Sequence, residues 1–264
     1  MMHQTNTASL CRSWTGGLLV VLLLTTTSCL GNPEDPGQDS DQDPDFQVLF
    51  IGNSLTFWND LPGVLTALID SAGAGSALIN SLAVGGFSLE DHWKQGTARN
   101  AIALGGWDVV VLQQGASASP EGRQLLLEYT QLFSDDAAAV GASTALYMVW
   151  PSASRIDDFD DVSQSYLLAA EQVGGLLYPV GEAWRIAWQR DPDLELYDSD
   201  GIHPNRAATY LAALVMFQQL TGRSPIGLPP RVALPNLNTV GAPDSVAALL
   251  QEVALEANAS FALP

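Results

Sequence analysis

Four short segments of this 264-residue chain carry side chains that could do chemistry together. In Gly52-Asn53-Ser54-Leu55-Thr56, a serine stands two residues past a glycine, where an apolar run gives way to a helical pattern. Such a turn can present a hydroxyl above the edge of a sheet. In Gly85-Gly86-Phe87-Ser88, glycine lets a backbone N–H approach a ligand closely. Gln113-Gln114-Gly115-Ala116-Ser117 follows a third apolar run, and Tyr197-Asp198-Ser199-Asp200-Gly201-Ile202-His203-Pro204-Asn205 opens a late helix. A serine becomes a nucleophile when a base takes its proton and a further group holds the base in one tautomer. Of the three histidines, His3 lies in the leader, leaving His92 and His203. His203 has Asp200 three residues before it and Asp198 as an alternative partner. His92 reads as a surface or packing histidine. Ser54, His203 and a local aspartate therefore form a candidate triad.

Composition narrows the remaining chemistry. Both cysteines, Cys11 and Cys29, fall in the first 29 residues, so the body has no thiol nucleophile, disulfide framework or thiolate metal site. With 29 acids against 10 basic residues, the formal charge is −19, which argues against nucleic acid as a partner. Asp157-Asp158-Phe159-Asp160-Asp161 lacks the glycine and spaced ligands of a calcium loop and reads as a helix start, where acids are favoured. No metal constellation and no cofactor motif is seen.

The elements that must position these residues begin after two leading segments. Residues 1–28 have one basic residue, Arg12, an apolar core from Gly16 to Leu24 and small residues before Cys29, the pattern of a secretory signal. Residues 29–45 include six acids with Pro and Gly and read as a solvated linker. One domain, residues 46–264, is left with a charge of −14. Within it, apolar runs predict strands at 46–51, 76–84, 107–113, 144–150 and 176–180. Helical patterns fall at 61–72, 89–104, 121–140, 161–173, 181–190, 204–220 and 242–257, with Pro204 in a first turn. Residues 222–241, rich in proline, read as an ordered surface wrap. Strands alternating with helices imply an α/β fold with a central parallel sheet, ligands binding at the strands' carboxyl ends.

Across residues 47–220 the chain resembles the SGNH (GDSL-type) hydrolase superfamily. Gly52-Asn53-Ser54 matches its first block, Gly86 (with Gly85 as the alternative) its second, and Asp200-Gly201-Ile202-His203 its last. The resemblance implies a three-layer flavodoxin-like fold, about five parallel strands with helices on both faces, and ester hydrolysis without a cofactor. It implies Ser54 as nucleophile, His203 as base and Asp200 as its orienting carboxylate. The Ser54 and Gly86 N–H groups would form an oxyanion hole. The family's third-block asparagine is missing. Gln114-Gly115-Ala116 is similar to the start of the Gln-Gly-Glu block of carbohydrate acetylesterase branches, which nominates the Gln114 amide as third donor and Ser117 as runner-up. Trp58, Asn59, Phe87, Trp150 and Ile202 are candidate pocket residues, with packing as the alternative for each, and Asn53 is expected to brace the turn.

Thr27-Ser28-Cys29 resembles a bacterial lipobox, with Thr26 where leucine is usual. It implies export, lipidation at Cys29 and a membrane-anchored place in the cell envelope. The expected function is an exported serine esterase acting on a glycan or small-molecule acyl ester. A non-catalytic binding lipoprotein of the same fold and a glycan O-acyltransferase are the alternatives.

Overall fold

The computed structural model describes residues 43–235 and 238–262. The expected signal, Cys29 and nearly all of the linker lie outside the described residues. Five parallel strands form the sheet: β1 (Phe46–Gly52), β2 (Ala77–Ala83), β3 (Val109–Leu112), β4 (Ser143–Tyr147) and β5 (Leu176–Tyr178), in spatial order β2-β1-β3-β4-β5. The fold class is thus α/β with a five-stranded parallel sheet, as expected.

Residues 48–51 of β1 and all of β3 are buried, as a sheet covered on both faces requires. Fully burying each Val, Leu, Ile or Phe there contributes about 1.5–3 kcal/mol before entropy is counted. β2, at one edge, is less buried, and its Leu78 is 42% exposed.

The helices form two groups by their mutual packing. One comprises α3 (Leu89–Gln95), α4 (Thr97–Ala103), α5 (Pro120–Ala139) and α6 (Phe159–Val173). The other comprises α2 (Leu61–Ser71), α7 (Val180–Arg190), α8 (Arg206–Thr221) and α9 (Asp244–Ser260). A four-residue helix α1 (Ser54–Phe57) follows β1 directly. The 222–241 wrap holds a small antiparallel pair, β6 (Arg231–Ala233) with β7 (Thr239–Gly241). Among the described residues no helix is long and apolar enough to cross a membrane.

Several boundaries differ from the sequence reading, two of them with a clear cause in the backbone. The single helix expected over 89–104 is two, because Gly96 takes φ +80° and serves as C-cap of α3 and N-cap of α4. Pro204 is not in a first turn: it bridges Tyr197 in an extended pairing, and Asn205 caps α8 by accepting from the Ala208 N–H at 3.0 Å. That bridge closes the loop carrying Asp200 and His203 before the helix begins.

Strand order reverses beside β1: the chain goes from β1 to β2 on one side and to β3 on the other. The crevice this leaves at the carboxyl ends of β1 and β3 is where open α/β sheets bind ligands. Ser54 follows β1 there, and Gln113 and Gln114 follow β3.

Candidate active site

The turn after β1 is built around glycine and two amide side chains. A Cβ on Gly52 would collide with Thr56 Oγ1 and Gln113 Oε1, so only glycine fits. Asn53 caps α1, its Oδ1 accepting from the Leu55 N–H at 3.1 Å, and its Nδ2 donates to Phe87 O at 3.0 Å. Gln113, wholly buried, holds this turn from β3. Its Oε1 accepts from the Asn53 N–H at 2.8 Å and from Thr56 Oγ1 at 2.9 Å. Its Nε2 donates to Asn53 Oδ1 at 3.0 Å and Gln114 O at 2.6 Å. Three of these four contacts reach Asn53 or Thr56, beside Ser54.

The base arrives on the loop before α8. Gly201 turns it with φ +68°. Asp200 Oδ1 accepts from the Ile202 and His203 N–H groups, both at 2.9 Å, and Oδ2 lies 2.5 Å from His203 Nδ1. These bonds, the His203 side chain first, hold the Asp200 carboxyl down at about 2. An ionised Asp200 accepts the Nδ1 proton, which leaves Nε2 as the ring's acceptor. Ser54 Oγ lies 2.8 Å from that nitrogen and donates to it.

The loop is anchored from outside as well. Trp150 Nε1 donates to Ile202 O at 3.1 Å, the Ala153 N–H to Gly201 O at 2.8 Å, and Tyr197 Oη to Pro151 O at 2.6 Å. Asp198, the alternative carboxylate, does not bond the imidazole. It accepts from the Ser199 N–H at 2.6 Å and from Trp58 Nε1 at 3.3 Å, and these bonds lower its pKa.

A cleft of about 550 Å³ opens beside Ser54. Its lining includes Asn53, Gly86, Phe87, Gln114, the 115–119 stretch, Trp150, Ile202 and an ion pair, Arg155 Nε to Asp158 Oδ2 at 2.5 Å. Trp150 is buried and stacked on Trp184, centroids 3.8 Å apart. Ile202 is half exposed at the rim. Among the described residues, neither the Ser54 nor the Gly86 N–H has a hydrogen-bond partner, and Gly86 holds φ +77°. Gly85 does not line the cleft.

Other nominated residues sit differently. Gln114 lines the cleft with its amide already engaged: Leu89 N–H fixes its Oε1 at 3.1 Å, and Nε2 donates to Ser117 Oγ at 3.0 Å and Gly122 O at 3.3 Å. Ser117 Oγ in turn donates to Gly115 O at 2.9 Å. Trp58 and Asn59 do not line this cleft. Trp58 stacks on His203, and Asn59 Nδ2 donates to Pro204 O at 2.9 Å and Thr209 Oγ1 at 3.0 Å. His92 is buried against Phe87, with Nε2 2.7 Å from Gly52 O. Burial lowers its pKa, which favours a neutral ring donating to that carbonyl.

Gln113 and Tyr166, whose Oη donates to Gln114 O at 2.6 Å, were not singled out in the sequence. A glutamine ending a run of buried valines was the available signal for Gln113. Among the described residues, no group of three or more His, Asp or Glu is placed to hold a metal ion.

No protein-family model matches the chain, and neither does any curated protein. Solved structures do. A protein assigned as an SGNH hydrolase from Slackia heliotrinireducens is 29% identical, with a TM-score of 0.58 over 67% of this chain and 99% of that one. A DUF4886 family protein from Bacteroides uniformis is 19% identical, with a TM-score of 0.64 over 80% of this chain and 94% of that one. A catalytic mutant of an acetylxylan esterase from Geobacillus stearothermophilus is 13% identical, with a TM-score of 0.52 over 68% of this chain and 95% of that one. The fold is that of the SGNH hydrolases, and the structural neighbours include esterases and lipases of that group.

Proposed function

We propose that this protein is a serine ester hydrolase that removes acetyl or other short acyl groups from a carbohydrate or small ester. One observation carries the reading: a continuous relay from Asp200 through His203 to Ser54, with contacts of 2.5 and 2.8 Å, at the edge of the cleft.

Ser54 Oγ attacks the ester carbonyl while its proton passes to His203 Nε2. Asp200 stabilises the imidazolium and keeps its orientation. The carbonyl oxygen, now negative, is received by the free N–H groups of Ser54 and Gly86. One such donor is worth about 2.7–4 kcal/mol in the transition state. Gln114 adds a third donor if its amide leaves Ser117 when substrate binds. The carbon–oxygen bond to the alcohol then breaks as Nε2 returns the proton to it. Water, deprotonated by His203, releases the acyl group and regenerates Ser54. The residues assigned these steps need no cofactor.

An acetylxylan esterase among the structural neighbours supports a carbohydrate acetyl ester as substrate. The lipobox-like Thr27-Ser28-Cys29 supports export and anchoring at Cys29, to be tested by mass spectrometry of the native protein beside a Cys29→Ala variant. The test of the activity is hydrolysis of 4-nitrophenyl acetate and acetylated xylo-oligosaccharides by purified protein. Ser54→Ala and His203→Ala are expected to abolish it. Hydrolysis that survives Ser54→Ala overturns the reading.

A further inference from the structure

The segment between α1 and α2 has an unusual backbone. Asn59 and Asp60 are consecutive non-glycine residues in the left-handed region, with φ of 53° and 57°. Such conformations persist where surroundings over-determine them, and they cluster at functional sites. Here Asn59 is tied to Pro204 O and Thr209 Oγ1, and Asp60 Oδ1 accepts from the Gly63 N–H at 3.1 Å. The Asp60 bond caps α2, and the Asn59 tie to Pro204 O fixes the residue next to Trp58 to the loop that carries the base. The Trp58 indole lies flat on the His203 ring, centroids 4.0 Å apart and planes 15° from parallel. Its Nε1 is directed at Asp198 Oδ2, 3.3 Å away, and the Asp198 N–H donates to His203 O at 2.7 Å.

We propose that Trp58, oriented by Asp198, is a positioning residue that holds His203 for proton delivery to the leaving alcohol. The proposal rests on the esterase reading. Asp200 bonds one edge of the imidazole, which leaves the ring free to tilt about that bond; a flat contact on its face removes this freedom. As the ring gains Ser54's proton it becomes a cation, which an indole face attracts. The Asp198 carboxylate, bonded to the indole N–H, places negative charge at the far edge of that face. His203 Nε2 then passes the proton to the alcohol oxygen as its bond to the acyl carbon breaks. Trp58 does not line the cleft, so its contribution falls on this step and not on substrate binding.

The experiment compares Trp58→Leu, Trp58→Phe and Asp198→Asn with the wild-type protein on two acetate esters. One ester has an alkyl alcohol, which must be protonated to leave. The other has 4-nitrophenol, which leaves as the anion. Trp58→Leu is expected to lower kcat/KM, which covers the steps through loss of the alcohol, about tenfold on the alkyl ester. The loss of kcat/KM on the aryl ester should be under about threefold. Trp58→Phe and Asp198→Asn should show smaller losses with the same bias. A second readout needs no activity: in the proton NMR spectrum the carbon-bound ring protons of His203 should lie upfield, shifted by the indole. That shift should vanish in Trp58→Leu and remain in Asp198→Asn. Equal losses on the two esters, or unshifted His203 protons in the wild-type protein, overturn the proposal. Failure of the esterase reading looks different: hydrolysis is then unchanged by Ser54→Ala.

Discussion

The two halves of the site are held in opposite ways. The nucleophile turn is buried: Gln113 and Thr56 are fully inside, and Asn53 is 7% exposed. Its geometry comes from side chains distant in sequence, above all Gln113. The base loop lies near the surface, with Asp200 exposed and Ile202 50% exposed; the bonds that join Asp200 to His203 are made within the loop, which Trp150 and Ala153 anchor from outside. The difference follows from the work proposed for each half. An oxyanion hole needs donors that do not reorganise as charge develops. The base must serve two oxygens in turn, Ser54 Oγ and the leaving alcohol, so its setting can be local. Damage to the turn should therefore cost stability and activity together, whereas damage to the loop should cost activity with the fold intact.

Asp200→Asn attacks the loop directly and carries the largest expected loss in this comparison. Without the carboxylate the imidazole loses its tautomer, and kcat should fall roughly 10²–10⁴-fold. The melting temperature should move little, because Asp200 lies at the surface and an asparagine oxygen can still accept from the Ile202 and His203 N–H groups. Ester kinetics beside calorimetry checks both, and a large drop in Tm would break the contrast.

Gln113→Ala is the matching attack on the turn. It strips the acceptor from the buried Asn53 N–H and Thr56 hydroxyl, which should destabilise the fold by about 2–4 kcal/mol. That corresponds to a Tm lower by roughly 5–15 °C, measurable by calorimetry. Activity should fall with it, through kcat more than KM.

Trp150→Phe sharpens the contrast at smaller amplitude. The ring can still stack on Trp184, but the bond to Ile202 O is gone, a loss of about 1 kcal/mol. A loss of kcat/KM of no more than about tenfold is expected, on alkyl and aryl esters alike.

The smallest expected effect concerns pH. The Asp200 carboxyl sits at about 2 in the fold, below its ordinary value of 3.8. A lowered carboxylate pKa stabilises the folded state above the unfolded value, and that contribution fades as pH falls through the folded one. The stability difference between wild type and Asp200→Asn should therefore be constant above about pH 5 and shrink between about 4 and 2. Urea titrations across that range would show it; a difference that shrinks near neutrality would contradict the assignment.

Much of the fold was legible because its signals are local. β1 and β3 read as near-continuous apolar runs, as strands buried on both faces do, and β4 was also located. Gly222 marks the end of α8 where it falls, but Pro204 misled, because its pairing with Tyr197 is a contact that helical periodicity does not reveal. Gly96 was likewise passed over, since a left-handed φ leaves no mark in hydrophobic periodicity.

By itself the sequence determined the candidates: one serine after a strand-ending glycine, and one histidine with an aspartate three residues before it. That second spacing carries its own geometry, because one carboxylate reaches two N–H groups and the imidazole within a single turn. Only the tertiary structure decided what lies across the chain. It brought Ser54 to His203 over 149 residues and gave Asp198 to Trp58. It also turned the Gln114 amide toward Ser117 and made Gln113 the brace of the turn. The physical reason is the same throughout. A buried amide or indole takes whatever partner the packed chain brings within about 3 Å, and no sequence period encodes that choice.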